Sequence, residues 1–197
     1  MFLALAGLML IGINKLYGRD ALMDSGAFTD LAAAGAAAST AYAVAFALSN
    51  GLGRIGWGFI ADRIGWRKSM TIMAVTQSIL VISFFYFGGS LVALYVFLAL
   101  TGFNFGGNFA LFPLATANWF GVKNLGINYG LMFSAYGIGG IVGPIMAGTF
   151  KDAGADQGLS VWLAPFMIAG ILCLVAGVLV ATSKEPSLDA VAKPVLA

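Results

Sequence analysis

Apolar residues run along this chain in long blocks rather than in alternation. Five uninterrupted blocks, 31–61, 69–89, 91–112, 127–150 and 159–182, each reach the roughly 20 residues that a helix needs to cross a hydrocarbon core. Charge, Pro or Gly bounds each block, and Arg54 is the single charge inside any of them. Block 31–61 is long: at about 1.5 Å per residue it would reach about 46 Å, so a helix there must tilt or project from the bilayer. A sixth block, 1–13, is too short for a complete span and has no basic residues before it, which also argues against a signal peptide. It reads as the second half of a helix, and the chain as a fragment whose first helix is truncated and whose preceding partner is missing. The other reading of 1–13 is a re-entrant or interfacial segment. The expected fold is an all-α membrane protein, a six-transmembrane-helix bundle over 1–182. A tail at 183–197, with Pro186 and Pro194, is expected to be disordered.

Composition narrows the classes of function. The chain is 60% hydrophobic and 9% charged, too little polar surface to coat a soluble domain, so a cytosolic enzyme or a nucleic-acid binder is excluded as a reading. There is no histidine, and Cys173 is the sole cysteine, which leaves no His/Cys metal cluster, disulfide framework or imidazole acid/base. No cofactor, metal or nucleophile–base pair is expected. Within the spans, away from their ends, there is no Asp or Glu, so an intramembrane proton carrier is also missing from this sequence.

Orientation follows from the basic residues in the connections. Arg63, Arg67, Lys68, Lys123, Lys184 and Lys193 fall on one side, and Lys15, Arg19 and Lys151 on the other; the richer side is read as cytoplasm, with the carboxyl terminus in it. Gly102, Gly106 and Ala110 in one block, and Gly139 and Gly143 with Gly140, Pro144 and Gly148 in another, let helices approach closely. That pattern reads first as packing, with hinge use of the stretch around Pro144 as the functional alternative.

The segment between the first two full blocks reads GFIADRIGWRK, residues 58–68: Gly58, Asp62, Arg63, Gly65, Arg67 and Lys68 in a very short connection. It resembles the signature loop of the major facilitator superfamily, with Trp66 in the first of two slots that are basic in that family. The resemblance implies that Asp62 caps a neighbouring helix and pairs with Arg63, holding the cytoplasmic helix ends together in one state of an alternating-access cycle. AGLMLIG (6–12), NGLGRIGWGFIADRIG (50–65), GFNFGGNFALFP (102–113) and NYGLMFSAYGIGGIVGP (128–144) are similar to the seventh, eighth, tenth and eleventh helices of oxalate:formate antiporter-like members. On that resemblance the chain is the carboxyl-terminal half of a twelve-helix fold. Since the signature loop occurs in both halves, and GIGGIVGP resembles a fifth-helix antiporter motif, an amino-terminal half stays open.

Arg54 is the most informative residue, because a charge inside a span costs at least about 2.5–3.5 kcal/mol and is kept for function or pairing. It lies eight residues, about 12 Å, from Asp62, and Asn50 and Trp57 share its helix face at i−4 and i+3. The family resemblance makes Arg54 the contact for the cargo carboxylate, which a guanidinium fork fits bidentately. Tyr136 sits at the same depth by count from Asn128, where oxalate-specific members carry lysine, so one arginine suggests one carboxylate. Asn104 and Asn108 could hydrogen-bond a cargo oxygen or join helices, and Phe105, Phe109 and Phe112 read as packing. The expected function is secondary transport of small organic anions such as oxalate, formate or other monocarboxylates, in a multi-pass plasma (inner) membrane protein. Its expected partners are the anion, the lipid bilayer and an amino-terminal six-helix half, with no nucleic acid. The alternatives are a proton-coupled lactate-type symporter or another exporter of the superfamily, and a non-transporting structural half.

Overall fold

A computed structural model describes residues 2–184, apart from the side chains of 155–157, and every regular element among them is a helix. Helix α1 is Phe2–Asp24, α2 Leu31–Ile64, α3 Trp66–Phe87, α4 Leu91–Phe120 and α5 Leu125–Ala153. A 3-10 stretch, Ala155–Trp162, leads into α6, Leu163–Thr182. Among the described residues, six helices are thus long and apolar enough to cross a membrane. All but the first two residues of the 183–197 tail lie outside the described residues.

Block 31–61 is one helix, as its unbroken pattern requires, but its turns widen to a π-helix over Tyr42–Phe46. Other boundaries move. Helix α1 does not stop near residue 13; it runs 23 residues, to Asp24, and is therefore long enough for a complete span. The polar second half is helical because Asn14, Tyr17, Gly18, Ala21 and Leu22 are buried against neighbouring helices, while Lys15 lies exposed and Arg19 and Asp20 pair with each other. Helix α4 continues through Pro113 to Phe120, since one missing N–H removes a single ladder bond from a helix anchored by the packing of Leu111 and Thr116. The connection at 58–68 is not a loop but the end of α2, one glycine and the start of α3. Gly65, at φ +86, makes the whole turn, and its carbonyl accepts from the Ser69 hydroxyl at 2.8 Å.

Lipid gives helices no hydrophobic reason to associate, so close approach must come from small residues. Gly102 and Gly106 set α4 against the backbone of Phe46 and Asn50 in α2, and Gly53 answers by lying against the Phe103 carbonyl. Gly139 and Gly143 do the same for α5 against Leu5 and Met9 of α1, and Gly12 meets the ring of Pro144. Pro144 thus serves as a packing surface, whereas Gly148 faces open space.

The bundle is asymmetric. Of the most apolar window of each helix, 61% is buried in α1 but only 22% in α2 and 17% in α5. Helices α2 and α5 each pack on α1 and α4 but scarcely on one another, which leaves a groove between them floored by parts of α1 and α4. The other side is sealed by Tyr17, whose hydroxyl donates to the carbonyls of Phe84 and Phe85 at 2.7 and 2.9 Å and whose ring packs 4.5 Å from that of Phe166.

Candidate functional site

Arg54 projects from α2 into the groove, about 15 Å along the axis from the helix end at Ile64. Its guanidinium lies 4.4 Å from the centre of the Phe109 ring of α4, and among the described residues it has neither an ion-pair nor a hydrogen-bond partner. An aromatic face attracts a cation without using its N–H donors, so the hydrogen-bonding capacity of the fork stays open. Tyr136 of α5 lies 5.6 Å from Phe109 and stacks on Phe133 at 5.0 Å; Phe105 closes the wall 6.2 Å from Tyr136. Three helices thus bring Arg54, Phe109 and Tyr136 to one place.

The other residues singled out by the sequence point elsewhere. Trp57 turns inward, buried, and its indole N–H donates to Asn104 Oδ1 at 3.2 Å; Asn104 Nδ2 in turn donates to Thr76 Oγ1 of α3 at 3.1 Å. Asn108 is buried too, and its Oδ1 and Oε1 of Gln77 lack partners beside a cavity of about 10 Å³, room for one water. Asn50 is half-buried one turn before Arg54, where its carbonyl faces Gly106. The structure therefore separates an open group, Arg54 with Tyr136, from an interior polar group, Trp57, Asn104 and Asn108.

A profile of the Major Facilitator Superfamily matches residues 1–195. The chain belongs to the Major Facilitator Superfamily. With six apolar helices it is an integral membrane protein of that transporter family. It is 30% identical over 143 residues to the uncharacterized MFS-type transporter YhjX of Escherichia coli K12, covering 72% of this chain and 33% of that protein. It is 29% identical over 176 residues to the oxalate:formate antiporter of Oxalobacter formigenes, covering 86% and 37%. Over 109 residues it is 36% identical to apicoplast pyruvate carrier 1 of Toxoplasma gondii, covering 54% and 18%. The chain spans less than two fifths of the length of each of these relatives.

In this superfamily member the signature segment is ordered and solvent-facing. Asp62 and Arg63 are exposed, and Arg63 lies over the Phe59 ring at 4.1 Å; the Asp62–Arg63 ion pair that the resemblance implies is not formed. Gly58 meets open space, Lys68 is exposed, and Arg67 approaches the Trp66 ring at 5.6 Å. Two roles are not read from the sequence: Phe109 carries Arg54 as well as packing, and Thr76 accepts from Asn104 in the interior. The available signals were polar residues in the middle of block 69–89 and the one-turn spacing of Phe105 and Phe109.

Proposed function

We propose that this chain is the carboxyl-terminal, cargo-binding half of a secondary transporter of small organic anions, monocarboxylates or short dicarboxylates such as formate and oxalate, working by alternating access. The observation that carries the reading is Arg54: a cation inside an apolar span, open to the groove and unpaired, so a carboxylate entering there gains a charge-assisted, bidentate partner. The relatives named for oxalate, formate and pyruvate share that cargo chemistry. The groove between α2 and α5 meets the amino-terminal six-helix half, with the cargo between them. The Gly65 end faces the cytoplasm of a plasma-membrane protein, since the basic residues concentrate there. Without a carboxylate deep in the described spans, exchange or facilitated diffusion is favoured over proton symport. The protein carries its cargo and does not convert it.

The test is Arg54→Gln in the complete polypeptide that contains this chain. Uptake of radiolabelled oxalate and formate into proteoliposomes is expected to disappear at unchanged abundance, with little recovery by Arg54→Lys, which lacks the fork. Uptake by Arg54→Gln near that of the unaltered protein overturns the reading.

A further inference from the structure

Helix α1 carries a second cation that the Arg54 site does not use. Lys15 lies within the helix, exposed, and among the described residues it has no ion-pair or hydrogen-bond partner. Its neighbours fix where it points. Gly12, three residues earlier, meets Pro144 of α5, and Arg19, four residues later, lies against Gly35 of α2. Residues three and four apart share a helix face, so Lys15 stands on the strip of α1 that floors the groove between α2 and α5.

Neighbouring charges leave it uncompensated. The guanidinium of Arg19 is taken by Asp20, with Nε and Nη2 at 2.8 and 2.6 Å from the same Oδ1, and Asp20 Oδ2 accepts from the Trp162 indole at 3.0 Å. Asp24, nine residues on, falls on the opposite side of α1. Depth separates Lys15 from Arg54. Gly18 of α1 is level with Ala38 of α2; Arg54 lies 16 residues beyond Ala38 and Lys15 three residues from Gly18, which puts the two cations about 20 Å apart along the axis. One small carboxylate cannot touch both.

We infer that Lys15 is a second anion-binding residue, an outer station that receives the cargo carboxylate from the side opposite the Gly65 end before it reaches Arg54. This rests on the organic-anion reading and deepens it, adding a successive contact rather than a second jaw of one clamp. A station on one side only must be felt from that side only. It should set affinity for anion outside the cell and leave affinity from the cytoplasmic side unchanged.

The experiment measures oxalate and formate exchange by the complete polypeptide from both sides, in intact cells and in inside-out vesicles. Lys15→Gln is expected to raise the external KM about tenfold, the loss of one charge-assisted contact, with the internal KM unchanged; Lys15→Arg should keep both values. In a Cys173→Ser background, Lys15→Cys should show the same external defect, relieved by a thiol reagent that attaches an aminoethyl cation and not by one that attaches a sulfonate. An external KM unmoved by Lys15→Gln, or one moved equally on both sides, overturns the station. Arg54→Gln, run in parallel, separates the two claims: failure at Lys15 beside an inactive Arg54→Gln condemns the station alone, and beside an active one condemns the carboxylate reading as well.

Discussion

The two faces of α4 hold polar chemistry of opposite kinds. On the inner face Asn104 is bonded to Trp57 and Thr76, and its amide joins α2, α3 and α4. On the groove face Phe109 supports Arg54, whose donors have no partner among the described residues. On the proposed reading, that difference in pairing separates the packing group from the cargo contact. A polar group within a membrane bundle that has found a protein partner contributes to packing, whereas a cation left unpaired in an open groove is available to a solute.

The largest expected effect comes from breaking the contact that places those faces. A side chain at Gly106 would run into the Asn50 backbone, and one at Gly53 into the Phe103 carbonyl, neither of which can swing aside. Gly106→Leu should therefore destabilise by about 3 kcal/mol or more through overpacking, and the protein should be lost from the membrane or melt far earlier in detergent. Gly51→Leu, on α2 two residues from Gly53 but facing open space, should melt like the unaltered protein. Equal losses at Gly51 and Gly106 would mean that the α2–α4 contact is misplaced.

On the proposed reading, Tyr136→Lys is next in size. It places a second cation across Phe109 from Arg54, so that each carboxylate of a dicarboxylate could be paired where one is now left desolvated. Oxalate should gain on formate as a competitor by about tenfold, one charged contact's worth. An unchanged inhibition ratio would show that Arg54 and Tyr136 do not act on one cargo.

Much of this was legible in the sequence. Five of six spans follow from block length alone, because lipid forces every backbone polar group into helical bonds. The glycines at 102, 106, 139 and 143 announce close packing by spacing alone, since spacing decides whether they share a face, and each lies against a neighbouring backbone. The shared depth of Arg54 and Tyr136 also follows from counting residues, and one ring bridges them. What counting could not supply was rotation about the helix axis. Trp57 and Arg54 are three residues apart on one surface, yet Trp57 meets α4 on its inner face at Asn104 and Arg54 meets it on its groove face at Phe109. By pattern alone Lys15 falls in a connection, since the first apolar block ends at residue 13, and only burial of Asn14 and Tyr17 against the bundle shows the helix continuing.

A smaller effect sharpens the same contrast. Trp57→Phe and Asn104→Leu each remove the interior indole–amide bond, and a double-mutant cycle should give a coupling of about 0.6–1 kcal/mol in thermal or denaturant melts, as for hydrogen bonds within other membrane bundles. Affinity for oxalate should hardly change in Trp57→Phe, which keeps the ring. A large rise in KM from that substitution would move Trp57 from the packing group to the cargo group.

The smallest effect on binding is expected at the Gly65 end. Asp62 is exposed, unpaired within the described residues, and eight residues from Arg54, about 12 Å along α2. At that distance, with water around the carboxylate, Asp62→Asn cannot alter the contact energy of a small anion at Arg54 by much, because exposed charges separated by more than about 10 Å are screened. If the signature segment acts on the conformational cycle, the carboxylate finds its partner in one state and not in the other, so its removal changes the rate of exchange between states. Turnover of oxalate should fall several-fold while equilibrium binding, measured by thermal shift against oxalate concentration, stays within about twofold of the unaltered protein, well under the factor of ten that 1.4 kcal/mol would give. A variant that exchanged at the normal rate but bound weakly would place Asp62 with Arg54 in the cargo site, and the division between a gating end and a binding groove would have to be redrawn.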